Sequence, residues 1–190
     1  MGIAREYKNV IVLIHNDVLP SLVDRIIELF DQVATKLPNE EQFEIPGEIH
    51  FLTKQGAIEY WDMMNPKIGT STDFRRYNKD GNCTYAMNEK TERYLFYITI
   101  ITDDLESKSD DYIKGLIAHE ISEMSYTWRV LQDNKENLKK LKPKARQVRF
   151  NQITKQNAAI GTKDHQEREN DVDNEARRLG FSKEIDALNS

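Results

Sequence analysis

The sequence contains one cysteine, Cys83, among its 190 residues. A single cysteine cannot form an internal disulfide, and it cannot supply the several thiolates of a cysteine-rich structural zinc domain. We therefore expect Cys83 to be a small, half-buried residue.

Long hydrophobic runs are also missing. No segment reaches the roughly 18 consecutive apolar residues that a membrane-spanning helix needs. The first residues, "MGIAREYKNV", contain no apolar run of signal-peptide length, and "MGIARE" lacks the Ser or Thr expected in a myristoylation signal. These absences predict a cytoplasmic protein without a membrane partner.

Excess positive charge is absent as well. The formal net charge is -5, with 38% hydrophobic and 31% charged residues. Such a composition is typical of a globular domain, and nothing global indicates nucleic-acid binding. The length predicts a single domain over residues 1–190. A local excess of Lys and Arg indicates a basic connecting segment within it, at about 132–163.

Hydrophobic spacing predicts the elements of the first half of the chain. The helix within 19–37 has apolar residues at helical spacing, namely Leu22, Ile26, Phe30, Val33 and Leu37. The other expected elements are strands at 8–15 and 48–53, a short helix at 54–64 and an exposed loop at 65–82.

The second half reads as a hairpin followed by helices. Two β-rich segments flank the polar stretch 88–91, and a helix over 109–131 follows, with Ser109 as its N-cap. A last helix over about 164–179 ends at Gly180. This order of elements predicts an α+β domain.

The stretch "IKGLIAHEISEMSY" carries the chemistry of the first of these helices. On a helical wheel, His119 and Glu123 share one face beside the apolar stripe of Ile113, Ile117, Met124 and Trp128. The wheel places Lys114, Ala118, Ser122 and Ser125 on the opposite side. The stretch fits an ordinary amphipathic helix with a charged edge, and it fits a metal site.

The spacing of the charged residues favours a metal site if a further ligand exists. Two ligands four positions apart on a helix can reach one cation, and Glu120 could then accept a proton from a water molecule on that cation. Both imidazole and carboxylate are acceptable zinc ligands. The candidate ligands here are His119 and Glu123.

The last helix contains the candidate for that further ligand. One of its faces carries His165, Glu169, Val172, Ala176 and Leu179. Glu169 could complete a three-ligand site, and Asp173 could orient His119 from behind. His165 is an alternative ligand or a solvent-facing residue of the first turn.

Two further histidines precede this region. His15 ends the first predicted strand and His50 lies within the second, both among apolar neighbours. We expect them to be core or edge residues rather than ligands.

The pair "LIAHEISE" and "ENDVDNEARRLGF" resembles the gluzincin type of zincin metallopeptidase, whose motifs are HExxH and a glutamate helix of the form E-x-x-x-D-x-x-A. The resemblance implies a mixed sheet with a hairpin at its edge. The hairpin strand would border the cleft and pair with an extended peptide substrate. The resemblance also implies a site in which His119, Glu123 and Glu169 hold one zinc ion and Glu120 is catalytic.

This sequence departs from the family at Glu123, where the family has histidine. A site with one histidine and two glutamates could prefer manganese or iron. The chain is therefore expected to be either a metal-dependent peptidase or a degenerate zincin that serves as a metal-binding or regulatory module.

Residues 135–155 contain eight Lys or Arg and one Glu. They could bind nucleic acid through its phosphates, although Phe150 is their only aromatic residue. The alternatives are a solvated connection between the two site helices, or a lid over the cleft. The sequence does not indicate an oligomeric state.

Overall fold

The computed structural model describes residues 2–37, 47–64, 80–88, 93–153 and 162–190. Over these ranges the protein is α+β, with five strands and seven helices. Most of the predicted loop at 65–82 lies outside the described residues, as does the turn of the predicted hairpin.

The five strands form one mixed sheet in the order β1-β2-β3-β5-β4. The pairs β2–β3 and β3–β5 are parallel, whereas β1–β2 and β4–β5 are antiparallel. The hairpin strand β4 is therefore an edge strand, as predicted. The strand bounds are β1 Ile3–Tyr7, β2 Val10–Ile14, β3 Gly47–Leu52, β4 Gly81–Asn88 and β5 Arg93–Ile101.

Strand β1 was not predicted. Its sequence, "IAREY", has no run of buried apolar residues, and four of its five residues are exposed. It pairs with β2 through backbone hydrogen bonds, so its side chains do not need the alternation of apolar and polar residues by which a half-buried strand is predicted.

No helix in the described ranges is long and apolar enough to cross a membrane. The helices are α1 Pro20–Lys36, α2 Lys54–Met64, α3 Asp110–Asp133, α4 Lys135–Lys139, α5 Pro143–Ile153, α6 Lys163–Arg178 and α7 Ser182–Leu188.

Helix α3 begins where the sequence predicts. The Ser109 side chain accepts a hydrogen bond from the backbone N–H of Tyr112 at 3.2 Å, and Asp110 and Asp111 occupy the positive end of the helix. The apolar stripe of α3 packs with α1 against one face of the sheet, and Ile113, Ile117 and Met124 are buried there. The main hydrophobic core therefore lies beneath the helix that carries the HExxE motif.

The side of α3 opposite this stripe is also packed. Ala118 and Ser122 are both 0% exposed. Helix α7, which the sequence did not predict, packs on α3 at Gly115: a Cβ atom there would lie 2.2 Å from the backbone oxygen of Glu184. The glycine therefore permits a close approach of two helices.

The other face of the sheet is covered by α2. Trp61 of this helix is buried, and its indole N–H donates to the Thr99 hydroxyl at 3.0 Å. Leu52, Ala57 and Ile101 complete this smaller core.

The basic segment also folds. Helix α4 ends at Lys139 and α5 begins at Pro143, so Pro143 starts a helix at a position that proline favours. Phe150 is 0% exposed and meets Tyr85 of β4 edge-to-face, with ring centroids 4.5 Å apart. Up to residue 153, the segment therefore contains two helices that are anchored by the buried side chains of Leu138 and Phe150, while most of its other described residues are exposed.

Replacing Gly115 with alanine should destabilise the protein. Alanine normally favours a helix over glycine, but here its methyl group would meet the backbone of α7. We expect the free energy of unfolding to fall by about 1–3 kcal/mol in urea denaturation. Gln132→Ala, at an exposed position of the same helix, is the control and should be nearly neutral. Equal stability of the two variants would contradict this packing.

Candidate metal centre

One turn of α3 brings three possible metal ligands together. His119, Glu120 and Glu123 each offer a ligand atom, and these atoms lie within 4.8 Å of one another. Glu120 is buried at 4% exposure, and the other two are partly buried. This His/Glu/Glu group could hold a metal ion.

Helix α6 contacts both ring nitrogens of His119. Nδ1 lies 2.9 Å from Oδ1 of Asp173, and Nε2 lies 3.4 Å from Oε2 of Glu169. Asp173 and Glu169, which the sequence predicts at this site, both contact the histidine. The group of three possible ligands, however, contains Glu120 and not Glu169, the predicted third ligand. An Asp173 carboxylate that accepts from Nδ1–H fixes the ring orientation and directs Nε2 toward a ligand.

Asp173 is itself held from its other side. Its Oδ2 accepts a hydrogen bond from the Asn189 side chain at 2.9 Å, so the residues after α7 help to orient the histidine. Burial raises the pKa of Asp173, but the hydrogen bonds from His119 and Asn189 outweigh it and hold the pKa below its ordinary value. The carboxylate therefore remains ionised beside the imidazole.

The charge around His119 is strongly negative. Burial alone would lower its pKa, but hydrogen bonds to Asp173 and Glu169, together with nearby Glu120 and Glu123, raise that pKa well above its ordinary value. A group of carboxylates that stabilises a proton on the imidazole also favours any other cation at the same place.

A feature that we did not predict from the sequence lies next to Glu123. Arg168 of α6 is 4% exposed, and its guanidinium donates to Oε1 of Glu123 and, at 3.4 Å, to the Thr127 hydroxyl. The sequence does place Arg168 in line with Val172 and Ala176, both of which are buried, but it does not show which acidic residue pairs with the arginine. A charged residue in a core position usually has a buried partner.

The edge strand β4 reaches the site through Gly81. A Cβ atom at this position would lie 2.2 Å from Oε1 of Glu120, so only glycine allows the carboxylate to approach the strand. Cys83 of the same strand is buried rather than half-buried, and burial together with Glu123 and Glu120 raises the pKa of its thiol well above the ordinary value. The thiol is therefore neutral at physiological pH.

The remaining histidines are less central. Nδ1 of His165 lies 3.5 Å from Oε1 of Glu169, so His165 faces the rim of the site rather than open solvent. His15 and His50 lie away from the centre and contact each other.

The donor set fits a divalent ion. One imidazole and several carboxylates are chemically acceptable to zinc, manganese or iron. Arg168 does not exclude this, because its contact is with Oε1 of Glu123 and a carboxylate has a second oxygen. The residues present could therefore hold the ion that the motifs imply, although they do not identify the metal.

The chain matches no protein-family model, no curated protein and no solved structure at a significant level. The resemblance to zincins therefore rests on the two quoted motifs alone.

Removing Arg168 should strongly destabilise the metal-free protein. Arg168→Met leaves the carboxylate of Glu123 inside the site without its guanidinium partner, which should cost about 3–5 kcal/mol in urea unfolding with a chelator present. The double variant Arg168→Met/Glu123→Gln should recover much of that loss. Strict additivity of the two substitutions would contradict the pairing.

Proposed function

We propose that this protein is a metal-dependent hydrolase that cleaves peptide bonds, with zinc as the favoured ion and manganese or iron as alternatives. The observation that carries the proposal is the environment of His119. The ligand atoms of His119, Glu120 and Glu123 lie within 4.8 Å of one another, while Glu169 and Asp173 of α6 contact the ring nitrogens of His119.

His119, Glu123 and Glu169 would hold the ion. Nδ1 of His119 is engaged by Asp173, so Nε2 is the nitrogen available as a ligand, and Glu169 is already directed toward it. Arg168 holds Glu123 through a hydrogen bond to Oε1, which leaves Oε2 as the possible ligand atom. In the same way, Asp173 holds His119 through Nδ1 and leaves Nε2. Both candidate ligands of α3 are thus oriented by residues of α6.

A bound ion would polarise the scissile carbonyl and acidify a water molecule. Glu120 would accept the proton of the attacking water and deliver it to the leaving amine. Its carboxylate is buried and lies against Gly81 at the edge of the sheet. An extended peptide that pairs with β4 would then run past the general base.

A second function has a specific observation in its favour. Arg168 places a buried positive charge beside Glu123, which opposes a second cation nearby. The protein would then be a degenerate zincin in which the ion pair stabilises the fold or a regulatory surface. This alternative predicts little metal affinity and no hydrolysis.

Activity assays on Glu120→Gln separate the two functions. Zinc-loaded wild type should cleave members of an unstructured peptide library, whereas Glu120→Gln should retain the ion and lose at least about 100-fold in kcat, because it lacks the general base. Cleavage is measured by mass spectrometry, and Glu136→Gln, the same change at an exposed position of α4, is the control. A wild type that binds zinc and cleaves no peptide would contradict the peptidase and leave the metal site intact.

Substituting Gly81 should test the position of Glu120. The methyl group of Gly81→Ala would displace the carboxylate, because its carbon would lie 2.7 Å from Cδ and 3.0 Å from Cγ of Glu120. We expect reduced kcat with unchanged zinc stoichiometry by elemental analysis. Unchanged kcat would show that the contact between β4 and Glu120 does not serve catalysis.

A further inference from the structure

A second group of titratable side chains lies on the sheet face that α2 covers. Nε2 of His15 lies 3.0 Å from Nδ1 of His50, and Nε2 of His50 lies 3.2 Å from Oε2 of Glu48. His50 is 0% exposed, and Glu48 and His15 are partly buried. None of these residues takes part in the centre on α3.

The chemistry of the partners assigns the protons in this chain. A carboxylate only accepts, so Nε2 of His50 carries a proton that it donates to Glu48. When His50 is neutral, its Nδ1 is then an acceptor, and Nε2–H of His15 donates to it. One proton therefore occupies the space between two imidazole nitrogens.

We propose that His15 and His50 form a second binding site for a divalent transition-metal ion, which replaces this shared proton. Two nitrogens bound to zinc at about 2.0–2.1 Å in tetrahedral geometry are about 3.3 Å apart. The observed separation of 3.0 Å is already close to that value. A shift of the His15 proton to its Nδ1 is enough to expose both lone pairs.

Glu48 has the role that a carboxylate commonly has beside a metal-bound histidine. It accepts from the nitrogen of His50 that faces away from His15, which fixes the ring orientation and the tautomer with Nδ1 free. The hydrogen bond to Glu48 therefore helps to hold the His50 ring with Nδ1, rather than Nε2, facing His15.

The surroundings hold both rings in place and leave one side accessible. The backbone N–H of His15 donates to the Phe51 carbonyl at 3.0 Å, which fixes the residue after β2 to β3. The Tyr60 ring packs against both imidazoles, with centroid distances of 5.3 and 4.8 Å. Because His15 is only partly buried, water could complete the coordination.

The class of ion follows from the ligands. Two neutral imidazoles favour zinc, nickel or copper over magnesium or calcium, which prefer oxygen. The centre on α3 offers one imidazole and several carboxylates, which is a harder donor set and accepts manganese or iron besides zinc. The two sites would therefore differ in selectivity within one small domain.

Nuclear magnetic resonance can test the site directly, because the chain has four histidines. Long-range ¹H–¹⁵N spectra of the imidazoles during zinc titration should show that Nδ1 of His50 and Nε2 of His15 change shift together and saturate at one ion for the pair. His119 should report the α3 centre separately. No change at His15 and His50 with zinc in tenfold excess over protein would overturn the proposal.

Variants distinguish a built site from surface binding. Glu48→Gln should weaken zinc binding at the pair by about 10–100-fold, and His50→Gln should abolish it, while circular dichroism confirms folding. His119→Ala should leave the pair unaffected, and His165→Ala is the matched control. Zinc binding that Glu48→Gln does not change, or that saturates only at millimolar zinc, would be adventitious and would contradict the site.

Discussion

The contact of His119 with α6 is the interaction on which the candidate centre depends. An imidazole on α3 is held at Nδ1 by Asp173 and faces Glu169 at Nε2, so two helices far apart in sequence meet at one ring. Asn189 extends the contact to the residues after α7. The close packing of α7 on α3 at Gly115 supports the same arrangement. The packing of three helices therefore fixes the direction in which the ring presents a lone pair.

Charge balance decides what this arrangement can do. The carboxylates around His119 would repel one another without a cation, and the folded protein supplies part of the compensation as Arg168. A buried arginine beside a candidate ligand has two consequences: it fixes the carboxylate, and it reduces the attraction for a metal ion. In our proposal, the negative charges of Glu169 and Glu120 restore the attraction for a metal ion that Arg168 reduces. The main effect of Arg168 is then to fix the carboxylate of Glu123.

The sequence predicts the α+β class, the hairpin and both site helices because their apolar spacing and caps are strong local signals, and the resemblance implies that the hairpin lies at the edge of the sheet. It also places Glu169 and Asp173 near His119, since the motif pair resembles a known arrangement. It misses β1, whose side chains are mostly exposed, and α7, whose seven residues are too short for a periodic pattern. It misses the Arg168–Glu123 pair because a contact between two helices leaves no spacing within either one. Likewise, the neighbours of His15 and His50 do not reveal that the two rings meet across strands.

Anomalous diffraction from a crystal grown with zinc tests the central claim most directly. The account predicts a zinc peak about 2.0–2.2 Å from Nε2 of His119, with Glu123 and Glu169 among its ligands and Nδ1 still bonded to Asp173. A structure with no peak at this place, in which Arg168 remains on Glu123 and Nε2 of His119 remains against Glu169, would contradict it.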